Sequence, residues 1–126
     1  MHDRWLFAAA LNGLIAVALG AFAAHGLKSH LEPGRLATFE VGVRYQMYHA
    51  LALLAVAWLS SARPSGAVTA AGVCFVVGIV LFSGSIYGLA LLGWRWLGPI
   101  TPLGGVGFLV GWFMLAVAAW RAPAGS

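Results

Sequence analysis

Four long stretches of this chain are mostly apolar, and short polar clusters separate them. The apolar runs cover residues 6–24, 42–59, 67–92 and 102–120. Each is close to, or longer than, the ~20 residues that carry a helix across a bilayer. Between them, residues 25–40, "SSARPSG" from Ser60 and "GWRWLGPIT" from Gly93 read as connections. Pro33 suits the first turn of a helix, so the second helix is expected to begin near it and enter the membrane around Val41 or Gly42. The pattern predicts an all-α membrane protein. Four antiparallel transmembrane helices run up-down-up-down in a single domain, residues 1–126, with a short tail after Trp120. Ala21-Phe22-Ala23 resembles a signal-peptide cleavage site, but the run before it is longer than a signal core, so it is expected to remain as a span.

Composition agrees with this pattern. The chain has 126 residues, 62% of them hydrophobic and 8% charged, which is far too apolar for a soluble domain of this size. The net charge of +4 comes from basic residues spread nearly one per loop or terminus. That distribution suits contact with lipid phosphates and excludes a nucleic-acid patch. Three basic residues on the terminal face against four on the other give no excess to set orientation. Cys74 is the only cysteine, so no internal disulfide is possible.

Small residues offer a means of packing, because lipid supplies no hydrophobic drive for helix association. Ala16, Gly20 and Ala24 form one stripe; Gly84 with Gly88, and Gly107 with Gly111, form two more. Gly84 or Gly107 is expected to mark a tight crossing, since each begins a Gly-xxx-Gly stripe. Trp5, Trp58 and Trp120 fall at the terminal face, Trp94 and Trp96 at the opposite one, as interfacial belts do. Trp112 lies mid-span, where its N–H should find a partner inside the bundle.

The polar side chains inside the runs are one-sided. His25, Arg44, Gln46, His49, Ser83, Ser85, Tyr87 and Thr101 all fall toward the long-loop face, with Asn12 the main exception. Unpaired polar groups are costly in hydrocarbon, so inward pairing is expected. Glu40 stands one turn before Arg44 as its natural partner. Two outcomes are open: a polar pocket that takes a ligand or a proton, or groups that bond one another and leave no cavity. His49 would lie roughly 10 Å deeper than His25, a poor match for paired axial haem ligands. Zinc calls for three or four ligands, and Glu40 is the only nearby carboxylate. No metal or cofactor is expected. No nucleophile motif, phosphate loop or carboxylate pair is present, so the reading leans away from an enzyme.

Four ordered blocks carry a resemblance: "GAFAAHGL" (residues 20–27), "YQMYHALALL" (45–54), "LFSGSIYGLAL" (81–91) and "ITPLGGVGFLVGW" (100–112). Together they resemble the small membrane-protein family catalogued as domain of unknown function 423. It includes bacterial YgdD-like and YwdK-like members and the animal transmembrane protein 256. The resemblance implies a four-helix bacterial inner-membrane protein with both termini cytoplasmic, and implies no activity. The family's histidine blocks correspond here to His25 and His49, its serine-tyrosine block to Ser83, Ser85 and Tyr87. The first functional reading is a non-catalytic binding or accessory protein that acts through its helix faces on the lipid bilayer, as a homo-oligomer or in a larger membrane complex. The alternative is a quinone, lipid, solute or proton site around His25 and His49. A transporter is a third, with little room for alternating access in so small a chain.

Overall fold

The computed structural model describes residues 2–121; the tail expected beyond Arg121 lies outside the described residues. The elements in order are α1 (His2–His25), a 3-10 turn (Leu27–Ser29), α2 (Pro33–Ala62), α3 (Gly66–Leu92), a 3-10 segment (Arg95–Ile100) and α4 (Thr101–Trp120). Local chemistry sets several of these limits. Pro33 occupies the first turn of α2, where its missing N–H costs nothing. Ser65 caps α3 by accepting the Val68 N–H at 3.3 Å. Gly93 ends α3 in the left-handed region at φ 71°, with its N–H on the Leu89 carbonyl at 3.1 Å.

Successive helices alternate in direction. Gly20 faces Val43, while Asn12, earlier in α1, bonds Gln46, later in α2. Gly42 packs on Ile86 and His49 on Phe75. Gly104 packs on Phe82 and Gly111 on Phe75. The two central helices, α2 and α3, hold most of the buried residues; α1 flanks α2, and α4 lies against α3. One core is built on Leu53, Val56, Val68, Phe75 and Phe108, and a second at the loop end on Ala23, Leu27, Phe39 and Ala90.

The expectation of four transmembrane helices needs correction. Among the described residues, three segments are long and apolar enough to cross a membrane: Asp3–Ser29, Gly66–Leu92 and Arg95–Trp120, with mean hydropathies of 2.1, 2.2 and 1.9. The longest helix, α2 with 30 residues, does not qualify. Its residues 35–49 include Arg35, Glu40, Arg44, Gln46, Tyr48 and His49. What stays free of polar groups, residues 50–59, covers only roughly 15 Å of rise, about half of a ~30 Å hydrocarbon core. The helix is instead the packing centre of the bundle, and its buried polar side chains, Gln46 and His49, bond the other three helices.

Glycines set the closest approaches, though not all of those expected. A Cβ on Gly104 would run into the backbone of Phe82, and one on Gly107 would come 3.3 Å from the Cys74 carbonyl and from Gly78 Cα. Gly78 itself lies under Phe108, so the α3–α4 crossing is built on Gly78, Gly104 and Gly107. Gly111 receives the Phe75 ring and Gly88 the Leu97 side chain. Gly84 does not belong to the crossing: it is exposed, and a Cβ there would meet nothing within 4 Å. Gly20 makes only an ordinary contact, 3.4 Å, with Val43.

Candidate functional site

Helix α2 presents a new face every few residues, at about 100° per residue, and this decides which polar groups enter the bundle. Gln46 and His49 are three positions apart, share a face, and are both buried. Arg44, two positions before Gln46, points the other way and is exposed. Glu40 makes no ion pair with it among the described residues. His25 is also exposed; its Nδ1 bonds the Ala21 carbonyl at 2.9 Å, one turn back on its own helix. Neither His25 nor Arg44 joins the inward groups.

The inward groups form separate bonded sets rather than one pocket. The Tyr87 hydroxyl donates to Gln46 Oε1 at 2.6 Å, and Gln46 Nε2 donates to Asn12 Oδ1 at 2.9 Å. Asn12 Nδ2 then donates to the Ala8 carbonyl at 2.8 Å. This chain of donors runs from α3 through α2 to α1. Ser83 Oγ donates to the Gly42 carbonyl at 2.7 Å, binding α3 to α2 where the bare Gly42 lets Ile86 and Tyr87 approach. Ser85 and Thr101 join their hydroxyls at 2.6 Å and tie α3 to the start of α4.

His49 is the centre of the last set. Its Nδ1 lies 2.6 Å from the Tyr45 carbonyl, which can only accept, so Nδ1 carries the ring proton. Its Nε2 lies 3.1 Å from the indole N–H of Trp112, which can only donate, so Nε2 accepts. The two neighbours thus select one neutral tautomer and use both ring nitrogens. The imidazole also stacks on Phe108, centroids 3.6 Å apart and planes 8° apart. Tyr45, Phe75 and Trp112 complete the aromatic surround.

Beside this set a groove of about 540 Å³ opens between α2, α3 and α4, lined by Tyr45, Tyr48, His49, Phe82, Phe108 and Trp112 among others. Its walls are mainly aromatic carbon, not the polar lining expected. Among the described residues no group of three or more His, Cys, Asp or Glu side chains could hold a metal ion. Asn12 and Phe108 were not among the candidates; Asn12 stood out in sequence as the sole amide in the first run. Trp5 also departs from the expected belt: its indole lies over Gly72, and its Nε1 is buried with no hydrogen-bond partner among the described residues.

The model of a family described as protein of unknown function (DUF423) matches residues 19–105. The chain is 50% identical over 111 residues to the UPF0382 membrane protein YwdK of Bacillus subtilis, covering 87% of this chain and 90% of that protein. It is 44% identical over 121 residues to a UPF0382 membrane protein of Haemophilus influenzae, covering 96% and 97%. The UPF0382 inner membrane protein YgdD of Escherichia coli is 42% identical over 116 residues, covering 92% and 88%. No solved structure matches the chain.

Proposed function

This chain belongs to the DUF423 family of small membrane proteins, and we propose that it is a non-catalytic accessory protein that acts through its outward helix faces. The observation that carries this reading is the full use of both His49 nitrogens, by the Tyr45 carbonyl and the Trp112 indole. A general base or proton carrier needs a free nitrogen facing its substrate, and this one is closed on both sides. The amide of Gln46 is used at both ends as well. Left facing outward are apolar side chains, on α4 above all: Leu103, Val106, Leu109 and Phe113 are each more than half exposed, or in the case of Leu109 72%. The reading places the protein in a bacterial cytoplasmic membrane, as the description of the Escherichia coli relative suggests.

A photo-crosslinking residue at Leu109 tests this reading in cells. A discrete adduct from Leu109, absent when the same probe stands at Val17 on the outer side of α1, supports it. Equal, diffuse labelling from both positions overturns it.

The groove beside His49 carries a second reading. Its volume, about 540 Å³, lies in the range of small-molecule sites, and its aromatic walls suit a flat apolar ring such as a quinone head. Such a ligand would reach His49 Nε2 only by displacing Trp112. Quenching of Trp112 fluorescence by a soluble quinone, lost in Trp112→Phe, separates this reading from the first.

A further inference from the structure

At the loop end of the bundle a second cavity, about 490 Å³, lies between the start of α2 and the end of α3, bounded by Glu32, Gly34, Arg35, Thr38, Gly93 and Arg95. Two guanidinium groups share this space. Arg35 is half-buried and its Nη2 reaches within 3.8 Å of where a Cβ on Gly93 would stand. Arg95 is exposed at the start of the 3-10 segment that follows. Neither side chain has a hydrogen-bond or ion-pair partner among the described residues. A half-buried guanidinium with its donors unused is poised for an external acceptor, and its planar fork matches phosphate oxygens.

The backbone adds to this. The Glu32 side chain does not cap α2, and Pro33 follows it, so the first-turn amides of Gly34 and Arg35 lack a side-chain acceptor. Thr38 donates its hydroxyl proton to the Gly34 carbonyl at 3.1 Å, which holds it as part of the wall.

The depth of the cavity indicates the source of the phosphate. Arg95 sits between Trp94 and Trp96, whose rings stack at 6.0 Å and are both exposed. They stand just past the end of the membrane-crossing segment Gly66–Leu92. Exposed tryptophans at a span end mark headgroup depth, where lipid phosphates lie. Charge points the same way. Two arginines and one glutamate leave the lining at +1, which matches the fixed single charge of a phosphodiester more closely than the higher average charge of free phosphate.

We infer that the cavity bounded by Arg35 and Arg95 is a binding site for the phosphate of an acidic phospholipid, such as phosphatidylglycerol. The site stands apart from the α4 face and from His49, so it holds or falls on its own test. The purified full chain, in detergent with equal phosphatidylglycerol and phosphatidylcholine, is examined by native mass spectrometry. Wild type should retain one phosphatidylglycerol in preference to phosphatidylcholine. Arg35→Gln with Arg95→Gln should lose that preference by about tenfold, the scale of one or two charge-assisted hydrogen bonds. Lys28→Gln with Arg44→Gln removes equal charge from the same end and should keep it. Arg95→Gln alone, in an exposed position, serves if the double variant does not fold, and should weaken retention in part. Equal retention of both lipids by wild type overturns the proposal. So does an arginine variant that retains lipid as wild type does, or a Lys28/Arg44 variant that loses as much. Inorganic phosphate that raises the melting temperature of lipid-free protein as far as phosphatidylglycerol would reassign the site to soluble phosphate and overturn the lipid assignment.

Discussion

The indole of Trp112 donates to Nε2 of His49 at 3.1 Å, and that contact fixes both the tautomer of the histidine and the approach of α4 to α2. A donor-only group meets the one ring nitrogen that the Tyr45 carbonyl has left as acceptor. Replacing Trp112 with Phe keeps an aromatic ring against Phe75 but strands Nε2 without a donor. We expect a loss of about 1 kcal/mol, read as a lower midpoint of unfolding in detergent. Trp58→Phe, on an exposed surface, should leave the midpoint unchanged. Equal midpoints for the two variants would show that the hydrogen bond contributes nothing.

The Tyr87–Gln46–Asn12 chain invites a double-mutant cycle. Tyr87→Phe and Asn12→Ala each remove one contact of Gln46. Each single change should cost about 0.5–1.5 kcal/mol, the range of interhelical hydrogen bonds in membranes. If Gln46 transmits one contact to the other, the double variant should lose less than the sum. Strict additivity would show two independent bonds.

The α3–α4 crossing discriminates between glycines that look alike in sequence. Gly104→Leu must push Phe82 and its backbone aside and should lower the unfolding midpoint severely, by at least the ~1–3 kcal/mol of overpacking. Gly84→Leu faces open space and should behave as wild type. A large effect at Gly84 would mean that another surface covers it in the membrane.

Helix α2 should not insert by itself. In a membrane-insertion reporter, residues 33–62 alone are expected to insert poorly, whereas residues 66–92 insert well, because the polar groups of α2 fall near the middle of the segment. Efficient insertion of the isolated α2 segment would remove the distinction drawn between it and the three apolar helices.

The four helices were legible because long, mostly apolar runs and Gly/Pro/Ser-rich breaks have few other readings. The partner of Trp112 was legible in kind, since a mid-helix indole N–H must be satisfied somewhere. The number of spans was not legible: residues 42–59 read as an apolar run, although Arg44, Gln46, Tyr48 and His49 in its first half make α2 too polar to qualify. Side of the membrane also proved a poor guide to contact. Arg44 shares its depth with Gln46 but lies about 200° around the helix from it, and His25 turned back on its own carbonyl. The crossing at Gly104 was hidden because its mate, Phe82, is bulky; only the backbone geometry shows how close the two chains come.

The polar half of α2 also dictates an order of assembly. A newly made chain presents α1 to the bilayer first, then a helix whose amide and imidazole groups have no acceptable place in lipid. Gln46 finds one partner at once in Asn12 of the preceding helix, but its other partner, Tyr87, and the indole that completes His49 have not yet been synthesised. The second helix must therefore wait, at the interface or shielded by the insertion machinery, until the third and fourth arrive. Its polar contacts act as a checkpoint: a chain cut short before α4 leaves the imidazole incomplete, a defect that membrane quality control could recognise.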